Sequence, residues 1–239
     1  KDNFAGTLTD IGGYSLNHHK HIHTGEGGIL VTNNDDLAQR MCLIRNHAET
    51  SVNDIGQKDL TNMIGHNFRL GEIECAIGIE QIKKLNKMVK SRQEIAEKLT
   101  NGLKDLKGLR TPIIKEGYTH SFYVYFMVIE IEETKVSRDK IFDALIAEGM
   151  QGLSKSYANL HLLPMYQKKI AYGSNGFPWT SDICKRDISY QKGICPVAER
   201  LNDKTYLGFE MCLFELEDID INDIINAFHK VWENLVYLD

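Results

Sequence analysis

Apolar residues recur along this chain with two different periods, and the changes of period mark its elements. From Ile11 to Leu16 and again from Gly27 to Thr32, short apolar runs are studded with glycines, which predicts two short buried strands joined by a turn. Asn34-Asp-Asp then supplies helix-start chemistry for a helix whose apolar face carries Leu37, Met41 and Ile44. A polar loop bearing Asn and Gly is expected from about His47 to Asn67. The longest helical pattern runs from about Leu70 to Leu103, where Ile73, Ile77, Ile82, Leu85, Met88, Ile95 and Leu99 recur at threes and fours between lysines. It ends at Leu109-Arg-Thr-Pro112, and a domain boundary is expected there, dividing residues 1–110 from 111–239.

Beyond that boundary, Ser121 to Ile131 reads as a strand apolar on both faces, followed by a helix from about Ser137 to Glu148 that stops at Gly149. A third helix is expected over roughly Asp182 to Gln191, a strand over Tyr206 to Phe214, and a closing amphipathic helix through Ile221, Ile225, Phe228 and Trp232. Strands alternating with helices in a small unit indicate an α/β or α+β layer arrangement.

Composition narrows the function classes. The 239 residues are 42% hydrophobic and 26% charged, with a net charge of -5 and no long run of one sign, which leaves no footprint for nucleic acid or an anionic membrane. No stretch approaches the length of a membrane span, and the first residues lack the apolar core of a signal peptide. Five scattered cysteines without a CxxC pair suit free thiols, so a cytoplasmic location is expected.

Candidate chemistry concentrates between the two predicted strands, in Ser15-Leu-Asn-His-His-Lys-His-Ile-His-Thr-Gly-Glu-Gly-Gly28. A lysine next to a glycine turn can be held under a bound ring, and a neutral ε-amine condenses with an aldehyde. Most lysines are solvated surface charges, and spacing alone does not separate that reading from a catalytic one for Lys20. Ser15 by itself reads as a strand residue with a locally bonded hydroxyl, and Asn67 as a loop residue or helix cap. His19, His21 and His23 alternate and could share a face toward a metal ion, yet same-face side chains on a flat strand splay and no carboxylate or cysteine completes the set. No metal is expected; polar lining of a pocket is the alternative role for these histidines.

The same segment resembles the active-site signature of the DegT/DnrJ/EryC1/StrS aminotransferases, in which a serine lies five residues before the Schiff-base lysine and Thr-Gly-Glu-Gly-Gly follows. Ser15, Lys20 and Thr24-Gly-Glu-Gly-Gly28 occupy those places without a gap. The similarity continues through Arg45-Asn-His47, Gly65-His-Asn-Phe-Arg-Leu-Gly-Glu-Ile73, Leu160-His-Leu-Leu-Pro-Met-Tyr166 and Cys195-Pro-Val-Ala-Glu-Arg200.

The resemblance implies part of the large domain of a fold-type I pyridoxal-phosphate-dependent transferase, followed by a smaller α+β C-terminal domain. It implies that Lys20 carries the pyridoxal 5'-phosphate and shuttles a proton, that the Ser15 hydroxyl meets the cofactor phosphate, and that Asn67 reaches the phosphate of a neighbouring subunit in a homodimer. His161 matches a region that lines the substrate pocket, although a structural loop histidine fits the residue equally. The implied reaction moves an amino group from glutamate or glutamine to a keto sugar, most naturally a nucleotide-linked one. A cyclitol or other keto acceptor is the alternative, because Cys195-Pro-Val-Ala-Glu199 is also similar to aminocyclitol-forming relatives, and a non-catalytic assembly module is the rival from another class. Related dehydratases carry histidine in place of the lysine, so Lys20 favours transamination. Only nineteen residues precede Lys20. The family's glycine-rich phosphate loop, stacking aromatic and aspartate for the pyridine nitrogen are therefore expected on a missing N-terminal segment or a second polypeptide.

Overall fold

Glycine and apolar alternation does make a hairpin. In the computed structural model, which describes residues 3–49 and 60–238, β1 (Gly12–Ser15) and β2 (Gly28–Val31) pair antiparallel, with Gly12 opposite Val31 and Ser15 opposite Gly28. The expected burial is not met, since Tyr14, Ile29 and Leu30 are exposed. A sheet of two strands has too little area to cover both of its own faces.

The helix α1 (Asp35–Arg45) starts where its cap chemistry lies: the Asn34 side chain accepts from the Leu37 N–H at 3.0 Å, and Asp35 and Asp36 face the positive end of the helix. Leu43 on its inner face is buried. Part of the loop expected between His47 and Asn67 lies outside the described residues.

One long helix was expected next, and the structure has two, α2 (Glu72–Ile82) and α3 (Leu85–Leu103). Lys83 and Lys84 form a tight turn in which the Lys84 N–H reaches the Gln81 carbonyl at 2.9 Å. Ile82, Leu85 and Met88 keep the three-residue spacing across the break, so periodicity reads straight through it.

The chain divides into two compact units, Lys1–Ser91 with Lys115–Ser121, and Arg92–Ile114 with Phe122–Asp239. By packing, the division falls within α3, ahead of the boundary read at residue 110. The reason is that Ile95, Ala96, Leu99 and Leu103 on its C-terminal half are buried in the core of the second unit.

That second unit is built on a four-stranded sheet in the order β3 (Leu109–Arg110), β4 (Tyr125–Ile129), β6 (Tyr206–Phe209), β5 (Leu153–Ser154). All its pairings are antiparallel, with Tyr125 opposite Phe209 and Leu153 also opposite Phe209 on the other side. The short α4 (Ile131–Thr134) leads into α5 (Arg138–Ala147), which lies where a helix was expected, is capped by Ser137 and is closed by Gly149 at φ +94°. Two further short helices, α6 (Pro164–Lys168) and α7 (Pro196–Arg200), each begin on a proline, which suits the first helical turn. The last helix, α8 (Asp218–Glu233), opens on a capping box of Glu217 and Asp220.

Two expectations for this unit are corrected. The strand expected to reach Phe214 stops at Phe209 and gives way to a 3₁₀ turn over Met211–Leu213. The helix expected over Asp182 to Gln191 is absent, and the segment is turns and extended chain. Its apolar Ile183 and Ile188 lie exposed among Asp182, Lys185, Arg186 and Asp187, so no stripe exists for a helix to bury.

Side chains from α3, α5 and α8 pack on one another and on the sheet through Leu99, Tyr125, Ile141, Leu207 and Phe228, all nearly or fully inaccessible. Each such side chain contributes about 1.5–3 kcal/mol by leaving water. Arg138 is buried at the edge of this core because its guanidinium donates to the carbonyls of Lys155, Asn202, Asp203 and Tyr206 and to the Asp139 carboxylate.

Candidate functional site

The loop between β1 and β2 is tied shut by its own backbone. The Leu16 N–H donates to the Gly27 carbonyl at 2.9 Å and the Thr24 N–H to the Leu16 carbonyl at 3.0 Å. Leu16 and Thr24, each 5% exposed, anchor the base of the loop. Gly27, at φ +149°, is required there, since a Cβ would lie 2.9 Å from Thr24 Oγ1 and 3.0 Å from Leu70 Cδ1.

Inside this closed loop, Asn17 connects the two residues singled out by the sequence. Its N–H donates to Ser15 Oγ at 3.2 Å, and its carbonyl accepts the Lys20 N–H at 3.0 Å. The Asn17 side chain donates from Nδ2 to Glu26 Oε1 at 2.6 Å, which fastens the turn to the Gly-Glu-Gly-Gly segment. Lys20 is half-buried in this turn and Ser15 is exposed at the end of β1. Asn17 was missed as a positioning residue; the signal was an Asn two residues after a Ser, which favours a side-chain-bonded turn.

The surrounding histidines find separate partners. His21 Nε2 donates to the Ser121 carbonyl at 2.6 Å, and His23 Nδ1 accepts from the Gly25 N–H at 3.4 Å. His18 and His19 meet edge to face with ring centres 5.1 Å apart. Among the described residues no group of three His, Cys, Asp or Glu side chains is placed to hold a metal ion.

Asn67 belongs to the same unit but is positioned by other residues. It forms an antiparallel bridge with Asn46, flanked by bonds from the His66 N–H to the Ile44 carbonyl and from the Phe68 N–H to the Arg45 carbonyl. Arg69 donates to the Asn46 side chain. Gly65 makes the close approach possible, because a Cβ there would fall 1.9 Å from the carbonyl carbon of His47. Asn67 is exposed, with its backbone fixed by the end of α1 rather than by the hairpin loop.

His161 lies in the second unit, in a 3₁₀ turn over Leu160–Leu162. Its Nε2 is 2.8 Å from Glu199 Oε1, and Gln167 donates to its carbonyl at 2.7 Å. Glu199, 6% exposed, also accepts the Gly193 N–H at 2.8 Å and the Cys195 N–H at 3.2 Å. Burial pushes this carboxyl up, but the Gly193 N–H, the His161 ring and the Cys195 N–H outweigh it and hold the group below the ordinary carboxylate value. Glu199 was missed because its partner is 38 residues away and nothing local in Cys195-Pro-Val-Ala-Glu-Arg200 points to a histidine.

Ser15 and Lys20 are thus brought together, Asn67 is separately fixed in the same unit, and His161 stands in the other. The donor set at the hairpin fits pyridoxal phosphate: an amine able to join an aldehyde, and a serine hydroxyl that accepts a backbone N–H and keeps its own hydrogen for a phosphate oxygen.

Known proteins share this arrangement of segments. The DegT/DnrJ/EryC1/StrS aminotransferase family matches residues 1–202. The spore coat polysaccharide biosynthesis protein SpsC of Bacillus subtilis is 27% identical over 196 residues, 79% of this chain and 50% of that protein. GDP-perosamine synthase of Vibrio cholerae is 26% identical over 195 residues, 80% of this chain and 50% of that one. The crystal structure of the aminotransferase TlmJ from Streptoalloteichus hindustanus shares the fold with a TM-score of 0.73 at 25% identity, covering 98% of this chain and 55% of its own. The chain spans about half the length of the curated relatives it matches. Its mixed α/β architecture is that of the pyridoxal-phosphate-dependent aminotransferases. On the match over residues 1–202 and the solved neighbour together, this chain belongs to the DegT/DnrJ/EryC1/StrS aminotransferase family.

Proposed function

We propose that this chain supplies the lysine-bearing part of an aminotransferase that moves an amino group from glutamate or glutamine to a keto sugar carried on a nucleotide. The observation that carries the reading is the closed hairpin loop in which Asn17 bonds both Ser15 and the backbone of Lys20. Pyridoxal phosphate, when bound, supplies an aldehyde and an electron-withdrawing ring.

The chain's own residues divide the remaining work. Lys20 would hold the cofactor through its ε-amine, and the same amine, when free, would carry a proton to and from the substrate carbon. Ser15 donates its hydroxyl to the phosphate. Asn67 donates to the phosphate held by a second subunit, which makes the working species a homodimer with shared sites. His161 contacts the substrate. Residues 1–110 act with the large cofactor-binding domain and residues 111–239 as the small domain, the remaining cofactor contacts coming from an N-terminal segment or a second polypeptide. A cytoplasmic location agrees with five free cysteines, and among the described residues no helix is long and apolar enough to cross a membrane.

Borohydride reduction of the cofactor-loaded protein, followed by peptide mass mapping, tests the assignment of Lys20. A pyridoxyl group is expected on the Lys20 peptide, and Lys20→Ala is expected to remove both the label and the turnover. A label on another lysine, or an unchanged visible spectrum in Lys20→Ala, refutes the assignment. Comparing turnover of a nucleotide-linked keto sugar with a cyclitol ketone then selects the acceptor, and preference for the latter moves the reading to the aminocyclitol branch.

A further inference from the structure

The second unit contains a buried carboxylate that the proposed chemistry leaves unused. Glu199 in α7 receives three N–H groups, from Gly193, Cys195 and His161, with no exposed edge to speak of. Gln167 holds the His161 carbonyl and at the same time donates to the Tyr190 carbonyl at 2.5 Å. His161 is therefore pinned at its ring by one residue and at its backbone by another. A histidine that served only to fill space would not require both.

We propose that Glu199 is a positioning residue which fixes the ring state of His161, so that His161 offers a bare Nδ1 lone pair to a hydroxyl of the sugar substrate. This rests on the assignment of His161 to the substrate pocket made above. An ionised carboxylate only accepts hydrogen bonds, so the ring nitrogen 2.8 Å away must carry a hydrogen. In the neutral imidazole a hydrogen on Nε2 leaves Nδ1 with the lone pair. The two backbone donors from Gly193 and Cys195 stabilise the ionised form of Glu199 and so keep this assignment in force. A carbohydrate hydroxyl donates its hydrogen to such a nitrogen, whereas a ring carrying hydrogen on Nδ1 would make the same hydroxyl turn and accept, leaving its own hydrogen without that partner.

The experiment has a spectroscopic arm and a kinetic arm, both on the cofactor-loaded protein. Long-range proton–nitrogen correlation spectra of ¹⁵N-histidine-labelled protein, with His161 assigned by its loss in His161→Asn, are expected to show a protonated Nε2 and an unprotonated Nδ1 at neutral pH. The reverse pattern, exchange between the two, or a hydrogen on both nitrogens overturns the proposal, and this measurement needs no variant of Glu199. Glu199→Gln keeps the shape and, through its remaining oxygen, the Gly193 bond, but an amide N–H turned toward Nε2 stands where Oε1 took the Cys195 N–H, so that bond is given up and the ring is expected to switch to the Nδ1–H form. With it, KM for the keto sugar is expected to rise about tenfold while kcat stays within about twofold, the loss of one hydrogen bond to substrate. A switched ring with unchanged KM overturns the substrate contact and leaves Glu199 a structural clasp. Failure of the unsubstituted chain, completed by the segment or polypeptide that supplies the remaining cofactor contacts, to turn over any keto sugar refutes the proposed function instead, and the ring spectrum then judges the positioning by Glu199 alone.

Discussion

The two compact units use opposite means to hold their residues. In the second, side chains from three helices and a sheet interlock, and Tyr125, Ile129, Ile141, Leu145 and Phe228 are essentially dry. In the first, Leu16 and Leu43 are the buried large apolar side chains among the described residues, while Ile73, Ile79 and Ile82 on α2 stand in solvent. Geometry there comes from backbone bonds and from glycines that allow close approach, as at Gly27 and Gly65. The candidate cofactor residues Ser15, Lys20 and Asn67 all sit in the thinly packed unit. Precision at these positions is local, whereas resistance to unfolding is concentrated elsewhere.

Substitutions should separate the two regimes. Phe228→Ala removes a fully buried ring from the second unit and is expected to cost about 3–5 kcal/mol in chemical denaturation. Arg138→Met removes a buried guanidinium and its bonds to the carbonyls of Asn202, Asp203 and Tyr206, and should cost on the order of 3 kcal/mol by the same measurement. Tyr125→Phe loses the 2.8 Å bond between the phenol and Thr100 Oγ1, an expected cost of about 1 kcal/mol near neutral pH.

The same tyrosine gives a pH test. Burial raises its pKa from 10.0 to about 12, against the opposing pull of the Thr100 bond, so the folded chain keeps a proton that the unfolded chain gives up. Its contribution is complete below pH 10 and is lost as pH climbs to about 12. Midpoints measured across that range should fall with pH, and less steeply in Tyr125→Phe. Tyr206, also raised by burial, keeps part of the slope.

The smallest effect is expected from Ile79→Ser on α2, whose side chain is 60% exposed: within about 0.5 kcal/mol of the parent, with weaker binding of an apolar dye. A loss as large as that of Phe228→Ala would erase the contrast between the units.

What could be read from the residues alone follows the range of the interactions involved. Asn34 announced α1 because a cap bonds within three residues, and the cap that Ser137 makes at the start of α5 has the same short range. The hairpin was legible for the same reason, whereas Ser15 and Lys20 were singled out through the resemblance to the aminotransferase signature and not by local chemistry. The break at Lys83-Lys84 was hidden because apolar spacing survives it, and the missing helix over 182–191 because charged residues interrupt a pattern that looks helical only in part. Glu199 could not be found locally, since its role exists only when the chain returns to His161.

The ties at the foot of the Lys20 hairpin also set a rule for change over time. With Leu16 bonded to both Gly27 and Thr24, the stretch from 17 to 23 works as a ruler of fixed length, and an added or deleted residue has to be absorbed between those ties. Any such event shifts the amine relative to the Ser15 hydroxyl, while replacements that preserve the count leave the reach intact. Residues such as His18 are therefore free to drift in identity, but the number of positions is not.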